Sequence, residues 1–173
     1  MTLEPRAGCD RGFTLLELLV VLLIIGLLVG LATVIARPND RGLLRLEVER
    51  LAQLLDLAAE ESHLTGKPIA WTANEGNYRF WRMTIDAGGT AQDTPQWLEI
   101  RDSDLLRTRT LPQGMRITGL KIDNRPAREA MRIEFAAYGP TPSFRVELVL
   151  GTAHSAVLAS PVGEIKVLAD EGS

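Results

Sequence analysis

One carboxylate stands at the edge of an uncharged tract: Glu17 is followed by Leu18–Ala36, nineteen residues without a charge. An acidic group at the centre of a membrane-spanning helix costs about 2.5–3.5 kcal/mol, less near its end, and in low dielectric it seeks a cation. Phe13, four residues earlier, shares a face with Glu17 if the segment is helical. On the residues alone, Glu17 is either a pairing group or a carboxylate reaching the headgroups. The rest of the chain offers little chemistry. Its two histidines, His63 and His154, are isolated in sequence, and no nucleophile-elbow, phosphate-loop or zinc-protease string occurs. Cys9 is the only thiol and precedes the apolar tract, which excludes an internal disulfide and Cys-pair metal sites and argues against a lipoprotein-type anchor. Asp102-Ser103-Asp104 could begin a calcium loop, but the Gly and bidentate Glu that such a loop needs are missing from the expected spacing, so a surface loop is expected. Arg101, Arg107 and Arg109 form the one basic cluster, offset by Asp102 and Asp104 and lacking an interleaved aromatic. Surface charge or a subunit contact is the expectation there. No catalytic residue, cofactor or metal is implied.

The elements that must carry these residues divide the chain. With 173 residues it holds one modest domain and an extension, and its formal net charge of −3 is a poor basis for binding phosphate polymers. Nineteen helical residues rise about 28 Å, close to the hydrocarbon thickness of a bilayer. A buried core helix is seldom apolar on every face for that length. A cleaved secretory signal remains a rival, with Val34-Ile35-Ala36 imitating its cleavage site, although the apolar part of such signals runs only about 7–15 residues. Gly26 and Gly30 form a GxxxG pair that permits close helix packing. Counting charges gives Arg6 and Arg11 before the tract and Arg37, Arg41, Arg45 and Arg50 after it, which taken literally favours the C-terminal part inside.

Residues 43–64 are periodic. Arg45, Glu49, Gln53, Asp56, Glu60 and His63 fall on one arc, and Leu44, Val48, Leu51, Leu55, Ala58 and Ala59 on the other, widened by Leu43, Leu54 and Leu57. Gly66 and Pro68 supply a stop. A helix from Phe13 to Leu64 would be about 78 Å long, bent or loosened at Pro38. Beyond Gly66 the pattern turns to short alternating runs: 69–73, 78–84, 97–100, 115–122, 131–135, 144–150, 154–159 and 164–168, with a hairpin at Asn74-Glu75-Gly76-Asn77 and a loop over 86–95. The expected fold class is α+β, the amphipathic helix packing an antiparallel sheet so that Phe144, Val146, Leu148 and Leu150 face Leu51, Leu55 and Ala58.

Arg11-Gly12-Phe13-Thr14-Leu15-Leu16-Glu17 before an apolar helix resembles the cleavage and methylation signature of type IV prepilins and pseudopilins. Three C-terminal strings resemble the H-type (GspH-like) minor pseudopilins of type II secretion: Leu111-Pro112-Gln113-Gly114, Ile133-Glu134-Phe135 leading to Gly139, and Ser160-Pro161-Val162-Gly163-Glu164-Ile165. The resemblance implies a leader at 1–12, a transmembrane helix at 13–36, an amphipathic helix at 37–65 and a β-rich periplasmic domain at 66–173. A prepilin peptidase would cut between Gly12 and Phe13 and methylate the Phe13 amine, and Glu17 would pair with the terminal amine of a neighbouring subunit. The implied role is a structural subunit near a pseudopilus tip, not an enzyme, that helps export folded proteins. Implied partners are the major pseudopilin, other minor pseudopilins, the inner membrane and secreted substrates, with no nucleic acid. Related minor pilins whose heads bind DNA or a surface are the alternative; they often carry a C-terminal disulfide, which one Cys cannot supply.

Overall fold

Proline, asparagine and glycine set the limits of the helices. In the computed structural model, which describes residues 14–35, 39–85, 94–127 and 131–169, α1 spans Leu15–Ile35 and α2 spans Asp40–Thr65. The bend or loosening expected at Pro38 falls on residues 36–38, which lie outside the described residues; beyond them α2 has a start of its own. The Asn39 side-chain oxygen accepts from the Gly42 N–H at 3.0 Å, an N-cap that satisfies one of the donors a helix start leaves open. Asp40 in the first turn complements the helix dipole. At the other end Gly66 takes the left-handed conformation at φ 67°, which L side chains resist, and Pro68 follows. The chain divides into two units at Pro38, the first holding α1 and the second, Asn39–Ser173, holding α2 and every strand.

Among the described residues the second unit has ten strands: β1 Ile69–Ala73, β2 Asn77–Ile85, β3 Pro95–Glu99, β4 Arg109–Thr110, β5 Met115–Ile122, β6 Arg125–Pro126, β7 Met131–Phe135, β8 Phe144–Leu150, β9 Ala153–Ala159 and β10 Ile165–Ala169. They form two antiparallel five-stranded sheets: β3-β2-β1-β7 with β4 joined to β2, and β10-β9-β8-β5-β6. The fold class is α+β. Of the expected 86–95 loop, residues 86–93 lie outside the described residues, and Pro95 opens β3, a sheet-edge position that tolerates a missing N–H. Two short strands went unread in the sequence. One follows Asp123 and Asn124, whose φ values of 48° and 63° make the tight two-residue turn between β5 and β6.

The core lies under α2. Val48, Leu51, Leu55 and Ala58 are buried together with Phe144, Val146, Leu148 and Leu150, as the alternation in β8 predicts. In β5 the buried positions change phase, from Met115 and Ile117 to Leu120, because a bulge between Ile117 and Gly119 resets the register against β8. Phe135 and Phe144 meet edge to face at 6.2 Å, one from each sheet. Leu43 departs from expectation: it is exposed at 47%, on the flank of the buried arc, whereas Leu54 is buried.

Candidate functional site

The first unit starts with a local hydrogen-bonding device. The Glu17 N–H donates to the Thr14 carbonyl at 3.0 Å and lies 3.3 Å from Thr14 Oγ1, so Thr14-Leu15-Leu16-Glu17 has the spacing of a helix-start box. Glu17 is the acidic residue of the first turn, where the dipole favours it. Its side chain is exposed and has no ion-pair partner among the described residues. Gly12 and Phe13, the expected cut site, lie outside the described residues.

Every described side chain of α1 is exposed, including Leu15, Leu16, Leu18 and Ile24 on different sides of the helix. A side-chain Cβ added at Gly26 or Gly30 would meet no atom of the described residues within 4 Å. An apolar helix of this kind is covered by lipid or by another subunit. Among the described residues no helix is long and apolar enough to cross a membrane, the described side chains of α1 being those of residues 15–28 and Gly30. The expected transmembrane helix at 13–36 therefore rests on the sequence.

In the second unit the residues singled out for chemistry do not converge. His63, exposed near the end of α2, places Nδ1 3.2 Å from the Ala137 carbonyl, to which it can donate. His154 is exposed on β9 beside Arg41 at the start of α2, far from His63 along that helix. Asp102-Ser103-Asp104 is a turn: Ser103 Oγ accepts from the N–H groups of Leu105 and Leu106 at 3.3 and 3.2 Å. The hydrogen bond and charge of Arg82, 3.1 Å away, hold the Asp102 carboxyl below the usual range. Arg82 also reaches Glu61 on α2 at 2.7 Å, tying helix, strand and turn together. No spacing in the sequence announces that bridge. Ser62 was also missed: it is fully buried and donates to the Ala59 carbonyl at 2.8 Å and the Ala136 carbonyl at 3.2 Å. Its position one turn past Ala58 and Ala59, on the apolar arc, was the available signal.

The arginine cluster divides. Arg101 turns to Glu99 at 3.1 Å, while Arg107 and Arg109 join Arg50 and Glu47 of α2 around a separate hollow. Beneath lies Tyr78, whose backbone pairs with Arg109. Burial pushes its hydroxyl up to about 12, against the opposing charge of Arg109.

Comparison with known proteins accords with this geometry. Residues 8–33 match the family described as Prokaryotic N-terminal methylation motif, and residues 47–163 the family described as Type II transport protein GspH. No curated protein matches the chain. Two solved structures of the minor pseudopilin EpsH from the type 2 secretion system of Vibrio cholerae are similar. One has a TM-score of 0.55 and 18% identity, covering 74% of this chain and 98% of its own. The crystal structure has a TM-score of 0.58 and 16% identity, covering 75% and 97%. At such identities the likeness is one of fold.

Proposed function

This chain belongs to the Type II transport protein GspH family, and from that membership we propose that it stands at or near the tip of a pseudopilus and helps export folded proteins across the outer membrane. As a family member it is a minor pseudopilin of the type II secretion system. The match of residues 47–163, most of the β-rich head, carries the reading. In it, α1 anchors the chain in the inner membrane with the head in the periplasm, supported by the N-terminal methylation motif at 8–33 and the uncovered apolar surface of α1. The prepilin peptidase removes residues 1–12 and methylates Phe13. Gly26 and Gly30 let a neighbouring helix approach closely. The role is structural: the subunit acts by packing against the major pseudopilin and other minor pseudopilins, and by meeting secreted substrates.

The role is tested by purifying the full chain from its own membranes. The other pseudopilins of the same system co-purify with it, and deleting the chain lowers secretion; retention of full secretion together with isolation of the chain alone would contradict the assignment.

Glu17 gives a second test. Its carboxylate pairs with the terminal amine of the next subunit, so Glu17→Ala lowers incorporation into assembled complexes severalfold at native expression. The melting temperature of the head stays unchanged, because Glu17 belongs to the other unit. Normal incorporation of the Ala variant would remove this role from Glu17.

A further inference from the structure

The acidic balance of the head is reversed at one place. Arg50 on α2 and Arg107 and Arg109 on the segment entering β4 line a hollow of about 320 Å³ with Glu47, Thr108 and Thr110. Three guanidinium groups thus meet one carboxylate, and Arg50 already holds that carboxylate at 2.5 Å. The side chains of Arg107 and Arg109 have no hydrogen-bonded or ionic partner among the described residues, and Arg109 Nε is buried without an acceptor. The hydroxyl of Tyr78, a residue only 1% exposed, is likewise buried without a partner. Buried donors are normally satisfied, so the unpaired Arg109 Nε in the lining, within an excess of positive charge, marks a place suited to an incoming acceptor. A wider hollow of about 410 Å³ at the start of α2 is more apolar: Leu44, Ala153 and Val167 line it beside Arg41 and His154, and its Arg45 is paired with Glu49.

We propose that the hollow bounded by Arg50, Arg107 and Arg109 is a carboxylate-binding cradle that receives an acidic segment of a partner protein chain. The existence of a neighbouring subunit rests on the family role; the cradle adds the chemistry by which that neighbour is held. Guanidinium groups present paired N–H donors that match the two oxygens of a carboxylate. The surroundings favour a discrete carboxylate over a phosphodiester strand. Glu47 lies within the hollow, and Glu99, hydrogen-bonded by Thr108, stands beside it, so an extended polyanion would run past like charge. Bases would find no platform either: Tyr78 is buried, and Arg132 covers the Trp97 ring at 4.4 Å from its centroid.

The head from Asn39 onward is a compact unit with its own core, and solved relatives of comparable extent are matched over 97% or more of their chains. It can therefore be titrated alone, at about 150 mM salt, where long-range attraction is screened. The probes are a blocked peptide carrying a single glutamate among neutral residues, inorganic phosphate and a short single-stranded oligonucleotide, and the readout is the Nε–Hε NMR signals of Arg107 and Arg109. The peptide is expected to shift both signals saturably. Calorimetry should show its affinity falling at least about tenfold in the Arg107→Ala/Arg109→Ala variant and partly restored in the Lys pair, which keeps the charge without the fork. Non-saturable shifts, unchanged affinity in the Ala variant, or an oligonucleotide or phosphate binding more tightly than the peptide would each overturn the cradle. A parallel purification of the full chain separates the two ideas. If wild type co-purifies with the other pseudopilins and the double Ala variant does so undiminished, the cradle falls and the family role stands. If wild type itself fails to co-purify, the role falls and takes the cradle with it.

Discussion

Replacing Gly12 with valine is expected to leave the precursor uncut, so that intact mass of membrane-extracted protein reads the whole 173-residue chain. The wild-type chain is expected to read shorter by residues 1–12 and heavier by one methyl on Phe13. The effect is all-or-none because a protease working at the membrane face needs the backbone beside the scissile bond to come close. Gly, with no Cβ, allows this, whereas a β-branched residue stiffens and shields the bond. The apolar tract is unchanged in the variant, so the chain still enters the membrane, and the uncut species is recovered there with the leader attached. Assembly is then lost twice over: the leader carries Glu4, Arg6, Asp10 and Arg11 into the place of the free terminus, and the amine that would pair with a neighbour's Glu17 does not exist. A mature wild-type end at Arg37 would discard this scheme in favour of an ordinary secretory signal.

Leu55→Ala is expected to have the largest effect on stability. Leu55 sits at the middle of α2, fully buried, in the same core as Val146 and Leu148 of β8. Truncation removes apolar contact and leaves a cavity that rigid neighbours cannot fill, a loss of about 2–5 kcal/mol. At about 4 °C per kcal/mol for a domain of this size, Tm of the head falls by roughly 8–20 °C. Leu64→Ala, nine residues on in the same helix, is the control. Leu64 is 86% exposed, so its loss should change stability by no more than about 0.5 kcal/mol. Thermal denaturation of the two heads side by side decides the matter, and equal melting temperatures would show that α2 does not lie on the sheets as described.

What the sequence determined by itself was local. The phase of α2 could be read because the 3.6-residue period repeats over Leu44, Val48, Leu51, Leu55 and Ala58, and Gly66 with Pro68 can end a helix whatever surrounds it. The alternation of Phe144, Val146, Leu148 and Leu150 likewise required one buried face, and the string from Arg11 to Glu17 carried its meaning in adjacent residues. Tertiary structure decided whatever depends on partners distant in sequence. It split the strands between two sheets, since β1 pairs with β2 and also with β7, and alternation cannot state which neighbour a strand takes. It left Leu43 exposed while burying Ser62, because burial depends on what lies opposite as well as on the helical arc. It also parted Arg101 from Arg107 and Arg109 and set the latter beside Arg50 and Glu47, more than fifty residues earlier. Charge interactions follow distance in space, and in this head the fold alone brings those side chains together.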